Sequence, residues 1–200
     1  MTRRARRRQG GFSLPEVLAA VVIIAILSVI AIPAYRSLVS SAAKAEPARV
    51  LHAIRTAEEA YKGAQTRYGQ PSGALATLLS CANCYPMVAP TKTKVGWGAA
   101  CTTCGRPAGM PDWPELDVKV EGPVMYGYTV VTGLPGVAPP AVTLRLAGGA
   151  QAMVWPTRPG WETTDWYAMM ARGDVSGEGT PCLVLGNSFN TQLAFEVECQ

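Results

Sequence analysis

The sequence contains a single histidine, His52, and it lacks the short motifs that mark the common hydrolases and phosphate-binding enzymes. No G-x-S-x-G, no phosphate-binding loop and no H-E-x-x-H occurs in it. A catalytic pair built on histidine therefore has one candidate, and that residue lies among predicted helix-surface positions, where we expect it to be solvated. We expect no catalytic residue and a protein that is not an enzyme.

Acidic residues are missing from the first eleven positions, which carry five arginines. The arginines are Arg3, Arg4, Arg6, Arg7 and Arg8. The chain has a formal net charge of +4, yet the residues beyond position 11 hold 13 basic and 14 acidic side chains. The basic character belongs to one end of the chain, so binding of nucleic acid is not indicated.

Polar residues are almost absent from the next segment. Val17–Ile32 is apolar apart from Ser28, and the segment extends back to Phe12, which makes 21 residues. A helix of that length spans about 31 Å, the thickness of a bilayer's hydrocarbon core. We predict a transmembrane helix, with the arginines on the cytoplasmic side and the C-terminal portion outside. A cleaved secretory signal, a twin-arginine signal and a plain anchor are the alternatives, and a plain anchor leaves Glu16 unexplained.

The residues around Glu16 form a recognisable pattern, Gly10-Gly11-Phe12-Ser13-Leu14-Pro15-Glu16. It resembles the N-terminal signature of the type IV pilin family, which includes the pseudopilins of type II secretion. Ala31–Tyr35 is similar to the family's helix-kink segment, and Pro15 departs from the Leu or Ile of many members. Proline in a first helical turn loses no hydrogen bond, so the departure hardly weakens the match. The resemblance is specific for residues 10–35 and is one of layout beyond them.

The resemblance implies that a prepilin peptidase cuts after Gly11 and that Phe12 becomes the N-methylated first residue. It also implies that the carboxylate of Glu16 pairs with the α-amino group of Phe12 in a neighbouring subunit, since opposite charges compensate each other in an apolar setting. The alternative for Glu16 is an acid that only favours the helix N-terminus.

The implied protein is a type IV pilin precursor, the subunit of a cell-surface filament used in adhesion, twitching motility or DNA uptake. Its implied partners are the peptidase, other pilin subunits and the pilus assembly or type II secretion machinery. It would sit in the inner membrane as a single-pass protein, with its C-terminus outside the cytoplasm, before it enters an extracellular pilus. A minor pilin or a pseudopilin is the nearest alternative. A membrane-anchored binding domain with a zinc-binding module of four cysteines is an alternative of another class.

The helical pattern continues beyond Pro33 with apolar residues on one side only. The stripe comprises Val50, Ile54, Ala57, Tyr61, Ala64 and Tyr68. Charged pairs, Arg55 with Glu59 and Glu58 with Lys62, are expected on the other, solvated side. We predict one helix from about Leu14 to Gln65, which Pro33 and Pro47 should bend or loosen.

Residues 69–122 are predicted to form a long connection that contains four of the six cysteines. Cys81, Cys84, Cys101 and Cys104 have the spacing C-x2-C-x16-C-x2-C, which is typical of zinc sites. An extracytoplasmic location favours disulfides instead, and two bridges would pin the loop as well as a metal would. We expect no cofactor, with zinc at these four cysteines as the alternative.

From residue 123 the apolar period changes to two, which predicts short strands in 123–132, 141–146, 151–155, 165–171, 182–185 and 192–198. The strands are expected to form one antiparallel sheet with one apolar face against the helix, an α+β fold like that of type IV pilins. The resemblance to pilins implies a C-terminal disulfide between Cys182 and Cys199. The expected parts are 1–11 leader, 12–33 membrane or filament-core helix, 34–68 amphipathic half, 69–122 connection and 123–200 sheet.

Overall fold

A computed structural model describes residues 13–73, 81–86, 93–102, 104–139, 142–146, 149–153, 160–174, 179 and 181–196 of the chain. Contacts between Cα atoms divide the chain into two units, Met1–Ser40 and Ser41–Gln200, and the second is called the sheet unit below. Gly11, Phe12, the arginine-rich leader and Cys199 lie outside the described residues.

The predicted long helix is confirmed as α1, Leu14–Gln65, a single element of 52 residues. It continues through Pro33 and Pro47 without interruption. It ends because Thr66, with φ of 65°, adopts the left-handed conformation, while its N–H still donates to the carbonyl of Lys62 at 2.8 Å.

The six strands expected from the two-residue period are all present. They are β1 (Gly127–Gly133), β2 (Val142–Leu146), β3 (Gly149–Met153), β4 (Trp166–Gly173), β5 (Cys182–Asn187) and β6 (Ala194–Phe195). Their arrangement differs from the expected single sheet. β1, β4, β5 and β6 form a four-stranded antiparallel sheet in that order, whereas β2 pairs only with β3 in a separate hairpin. The α+β, pilin-like fold class is thus confirmed, and the single sheet is wrong.

The four-stranded sheet is buried on both faces, although the sequence pattern predicted one apolar face. Residues on alternate positions of β4 enter two different hydrophobic clusters, since neighbouring side chains in a strand point to opposite faces. Tyr167 and Met169 pack in the cluster that contains the helix residues Leu51 and Ile54. Trp166, Ala168 and Met170 pack in the cluster that contains Val142 and Leu144 of the hairpin. The hairpin therefore completes the core on the face away from α1.

The connection between α1 and β1 contains no helix or strand within its described residues. Two isolated bridges tie it to the chain around β1, Tyr85 with Tyr128 and Val95 with Val124. Tyr85 and Tyr128 exchange two backbone hydrogen bonds of 2.7 Å each. This bridge covers part of the outer edge of β1, where unpaired backbone groups would otherwise face solvent.

Aromatic rings fill the space between the connection and the sheet. Tyr85 stacks on Trp113 with 5.1 Å between ring centroids, and Trp97 meets Tyr85, Trp113 and Tyr128 edge-on. The hydroxyl of Tyr85 donates to the carbonyl of Ala99 and accepts from the N–H of Gly98, both at 2.7 Å. The burial of these rings holds a connection that has little regular structure of its own.

Candidate functional site: the N-terminal signature and the helix that carries it

Glu16 lies in the first turn of α1 and contacts Ser13, the residue that precedes the helix. The carbonyl of Ser13 accepts the N–H groups of Glu16 at 3.1 Å and Val17 at 3.3 Å, which defines Ser13 as the N-cap. The N–H and the hydroxyl of Ser13 point back to the Glu16 carboxylate at 3.5 and 3.4 Å. Ser13-x-x-Glu16 therefore forms one half of a capping box, in which the Glu16 carboxylate accepts the N–H of the N-cap residue.

The capping geometry does not occupy the carboxylate fully. Both contacts from Ser13 are long, they reach the same oxygen, and they lie at the exposed N-terminus of the helix. The second carboxylate oxygen accepts no hydrogen bond among those found in the described residues. Pro15 occupies the second helical position. A backbone N–H at that position has no acceptor within the helix, so a proline, which lacks the N–H, is compatible with a regular first turn.

The segment behind Glu16 is a candidate membrane span. Leu14–Tyr35 is a helical segment of 22 residues with a mean hydropathy of 3.0, and none of its residues is buried. It is the one such segment in the described parts of the chain. The hydroxyl of Ser28, the polar interruption noted in the sequence, donates to the carbonyl of Ile24 at 2.7 Å and so is satisfied within the helix.

Three charged residues of α1 bind backbone groups of the sheet unit, a role that the sequence pattern did not reveal. The carboxylate of Glu46 accepts the N–H groups of Met125 at 2.7 Å and Tyr126 at 3.2 Å, just before β1. The guanidinium of Arg55 donates to the carbonyls of Thr191 at 2.8 Å, Asn187 at 3.1 Å and Asn190 at 2.7 Å. These contacts orient the second half of α1 on the sheet, because charged groups make the stronger hydrogen bonds.

Glu58 is the third of these residues, and its side chain is fully buried. One carboxylate oxygen accepts the N–H of Gly69 at 2.8 Å, and the other has no hydrogen-bond partner. Burial raises the pKa of Glu58 from 4.5 to about 8, so the protonated form is favoured near neutral pH. The expectation that Glu58 lies on a solvated face is therefore wrong. Neither of the expected ion pairs, Arg55 with Glu59 and Glu58 with Lys62, is among those of the described residues.

The apolar stripe itself is partly as predicted. Val50, Ile54 and Ala57 are buried, while Ala64 is exposed near the end of the helix. His52 is exposed, as expected. Leu51, which lies outside the predicted stripe, is fully buried. Val50, Ile54 and Ala57 correctly indicated the buried face of the helix. The burial of the Glu58 carboxylate could not be predicted from the apolar periodicity.

The four cysteines of the connection form two disulfides, each within its own C-x-x-C pair. Cys81 bonds to Cys84 and Cys101 to Cys104, with Cα–Cα distances of 4.8 and 5.6 Å. Bonded in this way, the sulfurs offer no thiolate to a zinc ion. No group of three or more metal-ligating side chains occurs in the part of the chain that the structure describes.

Such local bridges join no distant parts of the connection, so the expectation that they would pin it is wrong. A ring closed over four residues constrains the unfolded chain little, by about 2 kcal/mol from loop-closure entropy. The connection is held instead by the bridges at Tyr85 and Val95 and by the aromatic rings. Cys182, on β5, is also disulfide-bonded, and its expected partner Cys199 lies outside the described residues.

Residues 6–32 match the family model described as the prokaryotic N-terminal methylation motif. The matched residues include Gly11, Phe12 and Glu16 and most of the candidate span. The chain therefore carries the prepilin signature of type IV pilins.

This signature, with the apolar helix and the antiparallel sheet, supports a type IV pilin-like or pseudopilin precursor. It implies processing by a peptidase, assembly with other pilin subunits and membrane anchoring before assembly into a filament. Searches of curated proteins and of solved structures returned no significant match.

Proposed function

We propose that this chain is a type IV pilin precursor, a structural subunit and not an enzyme, which assembles into a cell-surface filament through its N-terminal helix. The observation that carries the proposal is the methylation motif at residues 6–32 on a helix that continues from Leu14 to Gln65. The first half of the helix is apolar and exposed, as a membrane span and later a filament core require. The second half is fixed to the sheet unit by Glu46 and Arg55.

The proposed maturation creates the cation that Glu16 needs. Hydrolysis after Gly11 frees the α-amino group of Phe12, and methylation of that nitrogen leaves it basic. In the membrane interior an isolated carboxylate is costly, and an isolated ammonium is costly too, so the two charges favour pairing between subunits. The capping contacts with Ser13 use only one carboxylate oxygen of Glu16, so the other can accept a hydrogen bond from this ammonium.

The proposed orientation follows from the five arginines of the leader, which favour the cytoplasm. The sheet unit then lies outside the cytoplasm, in a compartment where the disulfides of residues 81–104 persist. A pseudopilin shares the signature and the anchoring, and it differs in the machinery that assembles it.

The test is the N-terminus of the mature protein. Mass spectrometry of the chain purified from cells with an active prepilin peptidase should find Phe12 as the first residue, with one methyl group on its nitrogen. The same chain from cells without the peptidase should begin with the leader. A mature chain that begins at Met1 or close to Ala34 in the presence of the peptidase would exclude the proposed function.

A further inference from the structure

The two C-x-x-C disulfides differ in their access to solvent. Cys81 and Cys84 are both buried, with exposed fractions of 2% and 1%. In the second pair, Cys104 is equally buried at 1%, but Cys101 is only partly buried and is followed by the exposed Thr102. Cys101, which packs against the core cluster, is thus the one cysteine of these four that is not buried.

The chain that flanks the two pairs differs in the same sense. Tyr85, next to Cys84, is buried and exchanges both of its backbone hydrogen bonds with Tyr128 of β1. Beyond Cys104, residues 105–109 are exposed and form neither helix nor strand. Thiol–disulfide exchange needs access to a sulfur. Within the described residues, the second pair is the one that combines a cysteine that is not buried with an exposed segment beside it.

We propose that Cys101–Cys104 is the disulfide on which a thiol–disulfide exchange partner acts in the folded protein, with Cys101 as the sulfur that is attacked. Cys81–Cys84 is closed to such a partner once the sheet unit has folded, so it must form earlier. The partner is a dithiol or disulfide oxidoreductase of the compartment in which the sheet unit lies, or a small thiol of the same chemistry.

The exchange balances in atoms and electrons. A thiolate of the partner attacks Sγ of Cys101, the bond between Cys101 and Cys104 breaks, and the electron pair passes to Sγ of Cys104, which takes up a proton. The partner's second thiol loses its proton and attacks the partner's own sulfur in the mixed disulfide. Cys101 leaves with the electron pair as a thiolate and takes up that proton. The partner is released as a disulfide and has lost two electrons. Oxidation of the protein follows the same steps in reverse.

The first test uses the full chain, oxidised and folded in detergent micelles. Dithiothreitol is added for increasing times, free thiols are blocked with one maleimide, and the remaining bonds are reduced in denaturant and blocked with an isotopically distinct maleimide. Peptide mass spectrometry should show Cys101 and Cys104 taking the first label roughly tenfold faster, or more, than Cys81 and Cys84, because access limits the reaction.

The control is the same reaction in guanidinium chloride, where both pairs should react at similar rates. Equal rates in the folded protein, faster reaction of Cys81–Cys84, or no reaction of Cys101 before unfolding would each overturn the proposal. These outcomes do not depend on cleavage at Gly11 or on filament assembly, so they are separable from the test of the proposed function.

A matched pair of variants tests the attacked sulfur. In Cys104→Ser the remaining thiol is that of Cys101, and in Cys101→Ser it is that of Cys104. Oxidised glutathione should form a mixed disulfide with Cys104→Ser roughly tenfold faster, or more, than with Cys101→Ser. The opposite order would overturn the role of Cys101, and the experiment on the unaltered chain still decides the proposal if either variant fails to fold.

Discussion

At the residue scale, two carboxylates of the same helix have opposite environments. Glu16 is exposed, makes long contacts to Ser13 and lies at the start of an apolar span. Glu58 is fully buried in the sheet unit and accepts one backbone N–H. The first is available to a partner molecule, and the second is part of the fold. We therefore expect replacement of Glu16 to affect assembly and replacement of Glu58 to affect stability.

We expect Glu16→Gln to separate capping from charge. Glutamine keeps an oxygen that can accept the N–H of Ser13, but it cannot compensate an ammonium in an apolar setting. The variant should still be cut after Gly11, while the yield of sheared filaments seen by electron microscopy should fall by roughly tenfold or more. Ser13→Ala, which weakens the cap and keeps the carboxylate, should still assemble. Normal filaments from Glu16→Gln would refute the pairing role.

We expect Glu58 to make the stability of the sheet unit depend on pH. Its pKa is about 8 in the folded protein and 4.5 as the ordinary value, so the folded state keeps a proton that the unfolded state releases between these values. The free energy of unfolding should therefore fall as the pH rises through this window, by at most about 5 kcal/mol, and level off above it.

Urea unfolding of the full chain in detergent at several pH values measures this dependence. Glu58→Gln should flatten the curve, because its amide does not titrate. Glu59→Gln, a change at the exposed neighbouring carboxylate, is the matched control and should leave most of the slope in place. The explanation fails if Glu58→Gln has the same slope as the unaltered chain.

At the scale of elements, the hairpin of β2 and β3 has the largest consequence for packing. It covers the face of the four-stranded sheet that does not meet α1, and so β4 can be apolar at nearly every position. A strand buried on both faces loses the alternation by which a half-buried strand is recognised. The hairpin therefore contributes to the core although it shares no hydrogen-bonded ladder with the larger sheet.

Leu144→Ala tests the contribution of the hairpin to the core. Leu144 is fully buried in the cluster with Trp166 and Met170, so the truncation should lower the free energy of unfolding by about 2–5 kcal/mol. Leu134→Ala, at a position that is 60% exposed, should change it by less than about 0.5 kcal/mol. Similar small effects of both changes in chemical denaturation would show that the hairpin does not cover the sheet as described.

At the scale of the whole molecule, the fold is held by packing and by charged groups that bind backbone, while the two C-x-x-C disulfides act locally. The aromatic rings and the Tyr85–Tyr128 bridge attach the connection to the sheet, and Glu46 and Arg55 attach the second half of α1. Two of the disulfides close four-residue rings and tie no two elements together. No bound metal is needed to explain how the described parts of the connection are held.

Chelation and reduction should therefore have different effects on the full chain. An excess of EDTA should release no thiol and leave the melting temperature unchanged, because the sulfurs of the five cysteines that the structure describes are in disulfide bonds. Reduction in denaturant should release all six thiols of the sequence. Thiols that become reactive on chelation alone would instead restore the zinc-binding alternative.

The sequence by itself determined the elements and the N-terminal signature, because these depend on residues close together in the chain. The long apolar run and the stripe at Val50 and Ile54 were sufficient to predict α1 with its observed bounds. The two-residue period located the six strands, and Gly11, Phe12 and Glu16 indicated the prepilin signature.

Only the tertiary structure determined how those elements pack against and contact one another. The separation of the hairpin from the sheet, the burial of Glu58 and the contacts of Arg55 with the chain after β5 depend on residues far apart in sequence. A spacing of C-x2-C suits a metal and a disulfide equally well, so the choice between them lay with the folded environment of the sulfurs. Periodicity reports which face of an element is apolar, whereas the partner of each face is set by packing, and that is a property of the whole chain.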